Sequence, residues 1–257
     1  MLLNSKIKQL KQYINDANNI VFFGGAGVST ESGIPDFRSK NGLYNQHDVN
    51  FEKYEPEYLL SSYCLFDEPK VFYEFYRQKL DCRGAKPNIT HYKLAELEKT
   101  HNITIVTQNV DGLHQMAGST NVLEIHGSAN KVYCRRCGRE YSPDYIFDCG
   151  EDIPLCHKCI NEENPYCPHD KAFIRPKISL YGEFLSPDFK MAEKKIKEAD
   201  LLIIGGTSLA VYPANSLIYD FDKKNGKIVI INKGKTQADK VANLIIDAPL
   251  GTVFENL

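Results

Sequence analysis

Residues 20–44 read IVFFGGAGVSTESGIPDFRSKNGLY, and this stretch decides the fold. Ile20–Phe23 is a short apolar run ended by Gly24 and Gly25, the pattern of a strand buried in the middle of a parallel sheet. Gly25, Ala26 and Gly27 then make a turn that lets backbone N–H groups approach a pyrophosphate. The segment after it can start a helix whose N-terminus favours negative charge. A dinucleotide fingerprint would carry a third glycine where Thr30 stands, so the pattern is half present. The loop that follows sets Pro35, Asp36, Phe37 and Arg38 side by side. Such a loop either closes over a ligand or is a surface turn with one ion pair.

The chain around this stretch has 257 residues, enough for one large α/β domain carrying a small one. Its 31 basic and 33 acidic residues leave a net charge of −2, without the electrostatic footprint of a nucleic-acid partner. No apolar stretch approaches the roughly 20 residues that span a bilayer, and the start, MLLNSKIKQLKQYIND, is too polar for a signal peptide. It reads as an amphipathic helix with Ile7, Leu10, Ile14 and Ala17 on one face. A cytoplasmic protein is expected, with its eight cysteines reduced or metal-bound.

Outward from the opening motif, residues 45–85 turn aromatic and acidic and read as inserted helices, with Phe72, Phe75, Tyr76 and Lys79 at helical spacing. Thr90 is the expected cap of the next helix, and Ile103–Val106 the next strand. That strand ends in Gln108, Asn109, Val110 and Asp111. In open α/β sheets ligands sit at the carboxyl ends of strands, although turn chemistry alone also accounts for Asn109 and Asp111. Val122–Ile125 ends in His126, a histidine placed to titrate near neutral pH. Pro176–Tyr181 reads as a further strand of the sheet, Ser186 and Pro187 as a helix start, and Leu201–Ile204 as a strand ending in a second glycine turn, Gly205, Gly206, Thr207 and Ser208. Pro213 opens a helix carrying Ala214, Leu217, Ile218 and Phe221. Lys227–Ile231, ending in Asn232, and Asn243–Ile246 complete a doubly wound parallel sheet.

Two CxxC pairs, Cys134 with Cys137 and Cys156 with Cys159, stand eighteen residues apart, the spacing of a tetrahedral zinc ribbon. Four thiolates leave no open coordination position, so the metal is structural. Cys149, Cys167, His157 and His169 lie close by, and Cys167 is an alternative member of the second pair.

GAGVSTESGIPDFRS, TQNVDGLH and IHGS, followed by RPKISLYGE, GGTSLAVYPA and IINK, resemble in order and spacing the signature of the sirtuins, the NAD-dependent protein-lysine deacylases. The resemblance covers nearly the whole chain. It implies a Rossmann-like NAD-binding domain (1–44, 86–130 and 176–257) and a smaller inserted domain with a helical part (45–85) and a zinc-ribbon part (131–175). It further implies that Gly25, Ala26, Gly27 and Thr30 hold the diphosphate of NAD, that Gly206, Thr207, Ser208 and Asn232 serve the phosphates and adenosine, and that Asp36, Phe37 and Arg38 cover the nicotinamide end. Gln108, Asn109, Val110 and Asp111 would form the ribose and carboxamide pocket. His126 would be the general base that activates a ribose hydroxyl. NAD is then a consumed co-substrate, zinc a structural ion, and the partner an acyl-lysine protein or peptide, with free lysine, nicotinamide and O-acyl-ADP-ribose as products.

Sirtuins that remove acidic acyl groups carry a tyrosine and, three residues later, an arginine. Here Tyr76 is followed by Lys79, which keeps the charge without the bidentate fork, so acetyl is expected. Lys177 replaces the usual aspartate of the segment expected to pair with the substrate backbone. The competing expectations are an ADP-ribosyltransferase of the same fold, a zinc-ribbon adaptor without catalysis, and a redox enzyme.

Overall fold

The computed structural model describes residues 2–39, 42–45, 50–150, 152–159 and 172–257. The chain opens with helix α1 (Leu3–Asp16), which buries Ile7, Leu10 and Ile14 as its period demands, and runs into strand β1 (Asn19–Gly24). Three short helices follow, α2 (Pro56–Leu59), α3 (Ser62–Asp67) and α4 (Pro69–Lys79), and then α5 (Ile89–Leu97) and β2 (Asn102–Thr107). Next come α6 (Leu113–Met116), β3 (Val122–Glu124), β4 (Gly127–Cys134), β5 (Glu140–Tyr141) and α7 (Asp144–Asp148). The last part holds β6 (Ile174–Ile178), α8 (Asp188–Glu198), β7 (Leu201–Gly205), β8 (Lys227–Ile231), β9 (Leu244–Ile246) and α9 (Leu250–Glu255).

Six strands form a parallel sheet in the order β3-β2-β1-β7-β8-β9. Counted along the chain within this sheet the order is 3-2-1-4-5-6, that of a doubly wound dinucleotide fold, with its switch point between β1 and β7. Alternation along β1 explains the double cover. Phe22 faces α1, α5 and α9 through Leu10, Leu94 and Phe254, while Val21 and Phe23 face α8 and the turn after Pro213 through Ile196 and Leu217. Each of these fully buried side chains contributes about 1.5–3 kcal/mol.

A second, three-stranded sheet has the order β5-β4-β6 and antiparallel pairing. It shares one core with α3 and α4, in which Phe72, Tyr73, Tyr76 and Phe173 surround Cys134, Cys156 and Cys159. The helical and cysteine-rich segments are thus packed on each other.

Several expectations give way here. The run from Pro176 belongs to β6 of the small sheet, because its partner is β4 and an apolar run does not encode which sheet it joins. The glycine turn leads into two single 3₁₀ turns, Ala26–Val28 and Thr30–Ser32, instead of a helix. The segment after Pro213 is 3₁₀ as well. Asn88, not Thr90, caps α5: its side chain accepts from the Thr90 amide, and Thr90 is inside the helix.

Candidate active site

The two glycine turns meet backbone to backbone at the switch point. The Gly25 amide donates to the Gly205 carbonyl at 3.1 Å and the Gly27 amide to the Gly206 carbonyl at 2.8 Å. A Cβ on Gly27 would stand 2.8 Å from Gly206 Cα, and one on Gly25 would stand 2.7 Å from Thr207 Cβ, so neither position admits a side chain. Gly206 itself has φ +58. The amides expected to face a pyrophosphate are therefore engaged by the neighbouring turn. The two turns thus meet, with Ala26 and Thr207 beside them, at the carboxyl end of the sheet, where open α/β folds place their ligands. Thr30 follows the first turn with its hydroxyl on the Gly27 carbonyl.

From these turns a chain of polar contacts runs toward His126. Gln108 donates through Nε2 to Thr207 Oγ1 at 3.1 Å, and its backbone carbonyl lies 2.9 Å from His126 Nδ1. A carbonyl only accepts, so Nδ1 carries the proton and Nε2 keeps its lone pair. Burial lowers the His126 pKa from its ordinary value, against the opposing pull of the Gln108 carbonyl, so the ring is neutral at neutral pH. A neutral imidazole with a free Nε2 is the form a general base requires.

Behind this line lies a second network. Ser29, 1 % exposed, donates to Asp111 Oδ2 at 2.7 Å and accepts from Asn109 Nδ2 at 2.9 Å. Asp111 Oδ1 accepts from the Leu113 amide, so its carboxylate is a hub that fixes both loops. The Val110 carbonyl accepts from Ala129 and ties the same loop to β4. Asn88 holds the first loop from below, donating to the Val28 carbonyl and to Ser32 Oγ. Ser29 and Asn88 were not singled out from the sequence. The one available signal for Ser29 was its place in the polar run directly after the glycine turn.

The remaining candidates stand apart from these networks. Asp36 Oδ1 accepts the Arg38 and Ser39 amides and shapes its own turn. Phe37 packs on Tyr44 at 5.3 Å between ring centroids, and Arg38 lies over the same ring and reaches Glu57 at 3.5 Å. Ser208 is exposed, and the Asn232 side chain donates to the Lys233 and Gly234 carbonyls of its own loop. Tyr76 is buried against Phe72 and Phe147, inside the core of the small domain.

In the small domain the Sγ atoms of Cys134, Cys137, Cys156 and Cys159 lie within 4.8 Å of one another, and those of Cys137 and Cys156 are 3.8 Å apart. Tetrahedral zinc with Zn–S bonds of about 2.3 Å sets its sulfurs about 3.8 Å apart, so the cluster fits a structural zinc ion. Burial would raise the Cys156 thiol. Hydrogen bonds from Tyr141 and from the Cys159 and Lys158 amides bring it down to about 6, toward the thiolate a metal needs. Cys149 is held elsewhere, by Arg77 and the Ile146 and Asp152 carbonyls, and His157 by Tyr145. Cys167 and His169 lie outside the described residues.

Residues 25–213 match the model of the Sir2 family. The chain belongs to the Sir2 family. The Sir2 chain is 46% identical over 259 residues to an NAD-dependent protein deacetylase of Clostridium acetobutylicum, covering 100% of both chains. It is 47% identical over 256 residues to one of Clostridium perfringens, covering 98% of each. Among solved structures it resembles Sir2 with a p53 peptide and NAD+, at TM-score 0.82 and 34% identity, covering 97% of this chain and 95% of that one. A Sir2 complex with deacetylated p53 peptide and 3′-O-acetyl ADP-ribose superposes at TM-score 0.85 with 34% identity, covering 97% and 96%.

Proposed function

We infer that this Sir2 protein is an NAD-dependent protein deacetylase, removing acyl groups, acetyl foremost, from protein lysines. The observation that carries the reading is the neutral His126, its Nδ1 tied to the Gln108 carbonyl, on the polar line that starts at the glycine turns. NAD, when bound, supplies an electrophilic sugar carbon and is consumed, with nicotinamide and O-acyl-ADP-ribose as products.

In this reading Gly25, Ala26, Gly27 and Thr30 bind the diphosphate, and Gly206, Thr207, Ser208 and Asn232 the adenosine side. Asp36, Phe37 and Arg38 cover the nicotinamide end and exclude water. Gln108, Asn109, Val110 and Asp111 orient the ribose, with Ser29 holding Asn109 and Asp111 in register. His126 Nε2 takes the proton of a ribose hydroxyl, while the Gln108 carbonyl steadies the ring and the charge that forms on it. Cys134, Cys137, Cys156 and Cys159 bind the zinc, which stabilises the small domain.

We further propose two working units, an NAD-binding unit (1–44, 86–130 and 176–257) and a small domain (45–85 and 131–175), supported by their separate cores, with β6 contributing to the small sheet. No helix among the described residues is long and apolar enough to cross a membrane. A cytoplasmic location is our proposal, supported by a thiolate cluster that calls for a reducing compartment.

The test is incubation with NAD and an acetyl-lysine peptide, followed by mass spectrometry. Nicotinamide, O-acetyl-ADP-ribose and deacetylated peptide are expected in equal amounts, and none of the last two from His126→Ala. Release of nicotinamide without deacetylation would instead select ADP-ribosyl transfer.

A further inference from the structure

The loop 179–186 has both feet on the strand end that carries His126. Its first amide, of Ser179, donates to the His126 carbonyl at 2.9 Å, and its last, of Ser186, to the Ile125 carbonyl at 3.2 Å. Between the feet, Tyr181 exchanges backbone bonds with Leu60 and Ser62 at the start of α3, so three parts of the fold meet here. The next residue outside the first foot belongs to β6, the edge strand of the small sheet.

One ion pair sets the shape of this loop. Arg175, 2 % exposed, binds Glu183 through two parallel bonds, Nη1 to Oε1 at 2.5 Å and Nη2 to Oε2 at 2.9 Å. Nη2 also donates to the Ile178 carbonyl and Nε to the Pro176 carbonyl, while Glu183 Oε2 accepts the Leu180 amide. The pair therefore spans the loop from β6 to its tip and fixes the backbone at Ile178 and Leu180. Burial alone would raise the Glu183 carboxyl, but Arg175 outweighs it and keeps the group ionised. The pair is only partly buried, with the Glu183 side chain 27 % exposed, so desolvation on one side and screening on the other leave little net stability, and the geometry is what it supplies.

We propose that Arg175 and Glu183 are positioning residues for the acyl-lysine side of the site: together they hold the loop 179–186 in the form that presents the β6 edge and His126 to the substrate peptide. The inference rests on the deacetylase reading above and extends it to residues that touch neither substrate nor NAD. Loss of the pair relaxes the Ile178 and Leu180 backbone and weakens peptide binding, whereas the glycine turns and the Ser29, Asn109 and Asp111 network contain no bond to either residue.

The double variant Arg175→Met/Glu183→Leu replaces both charges with apolar groups of similar size, a change that buried pairs tolerate. Full-length protein is loaded with zinc, and the KM values for an acetyl-lysine peptide and for NAD are measured separately. The expected result is a folded variant with one zinc per chain, a KM for peptide raised about tenfold or more, and a KM for NAD within about twofold of the parent. Glu183→Gln, which keeps the size and one hydrogen-bonding oxygen, is expected to show the same split to a smaller degree, and it decides the matter if the double variant does not fold. A parent-like peptide KM, or equal rises in both KM values, overturns the positioning role. A parent enzyme that fails to deacetylate the peptide overturns the deacetylase reading and this inference with it.

Discussion

The two halves of the molecule reach order by opposite means. The parallel sheet is held by aliphatic side chains on both faces, and its ligand end by backbone contacts between glycine turns. The small domain is aromatic, and it is built around four thiols. A large apolar core spreads its stability over many contacts, so a single substitution there costs its own contacts and leaves the remaining ones in place. A small domain concentrates it in a metal, so losing one ligand is felt throughout. Substitutions should therefore separate NAD binding from substrate handling, and that separation is open to test.

The largest effect belongs to the residue where the halves join. His126→Ala should lower kcat for deacetylation by about 10²–10⁴-fold while the Kd for NAD, read by calorimetry, changes little. A kcat near that of the parent would remove the general-base role. Next, Cys134→Ala, or zinc removal with a chelator, should unfold the small domain and abolish peptide turnover. The parallel sheet should survive, giving a biphasic melt with the high-temperature transition retained. One sharp transition shifted as a whole would show that the halves are a single cooperative unit.

A smaller effect should follow at the switch point. Gly27→Ala places a methyl group 2.8 Å from Gly206 Cα, and it should cost about 1–3 kcal/mol of overpacking and raise the KM for NAD more than that for peptide. Equal changes in the two KM values would argue that the role of the glycine turns is not confined to NAD.

The smallest effect is a pH dependence of the large half alone. His91 and His114 lie with ring centroids 4.7 Å apart and planes tilted by 59°, both buried, with pKa values lowered by burial to about 4 and about 3, against the opposing charge of Asp111 at His91. The unfolded chain protonates these rings near pH 6.5 and the folded one does not, so the unfolded state binds more protons below that pH and stability falls with acid. The melting temperature should decline between pH 6.5 and about 4, and His114→Leu should flatten the slope. An unchanged slope in that variant would assign the acid sensitivity to other groups.

Much of this was legible in the sequence because it is local. The apolar runs at Ile20, Ile103, Leu201 and Lys227 gave strands at their own positions, and the CxxC pairs gave four sulfurs that converge. What escaped depends on distant partners. In place of the helix expected after Gly27 stand two 3₁₀ turns, in a loop held by partners far along the chain, Gly205 and Gly206 on its amides and Asp111 on Ser29. Asn88 takes the cap from Thr90 because its side chain also serves Val28 and Ser32. The place of Tyr76, by contrast, was readable: helical spacing sets it on one face with Phe72 and Phe75, a face expected to be core, and it packs there against Phe72 and against Phe147 from α7. The final helix, α9, follows too short a pattern to have been read at all.

The bonds between the two glycine turns also carry a consequence for the order of folding. The motif at residues 25–27 leaves the ribosome well before Gly205 and Gly206, yet its geometry is completed only by them. Long-range pairings of this kind form late, since loop closure must come before the contacts that reward it. Until β7 is made, the nascent chain carries an unformed turn and a β1 edge without that partner, and the capacity to hold NAD arises only once the second glycine turn is in place.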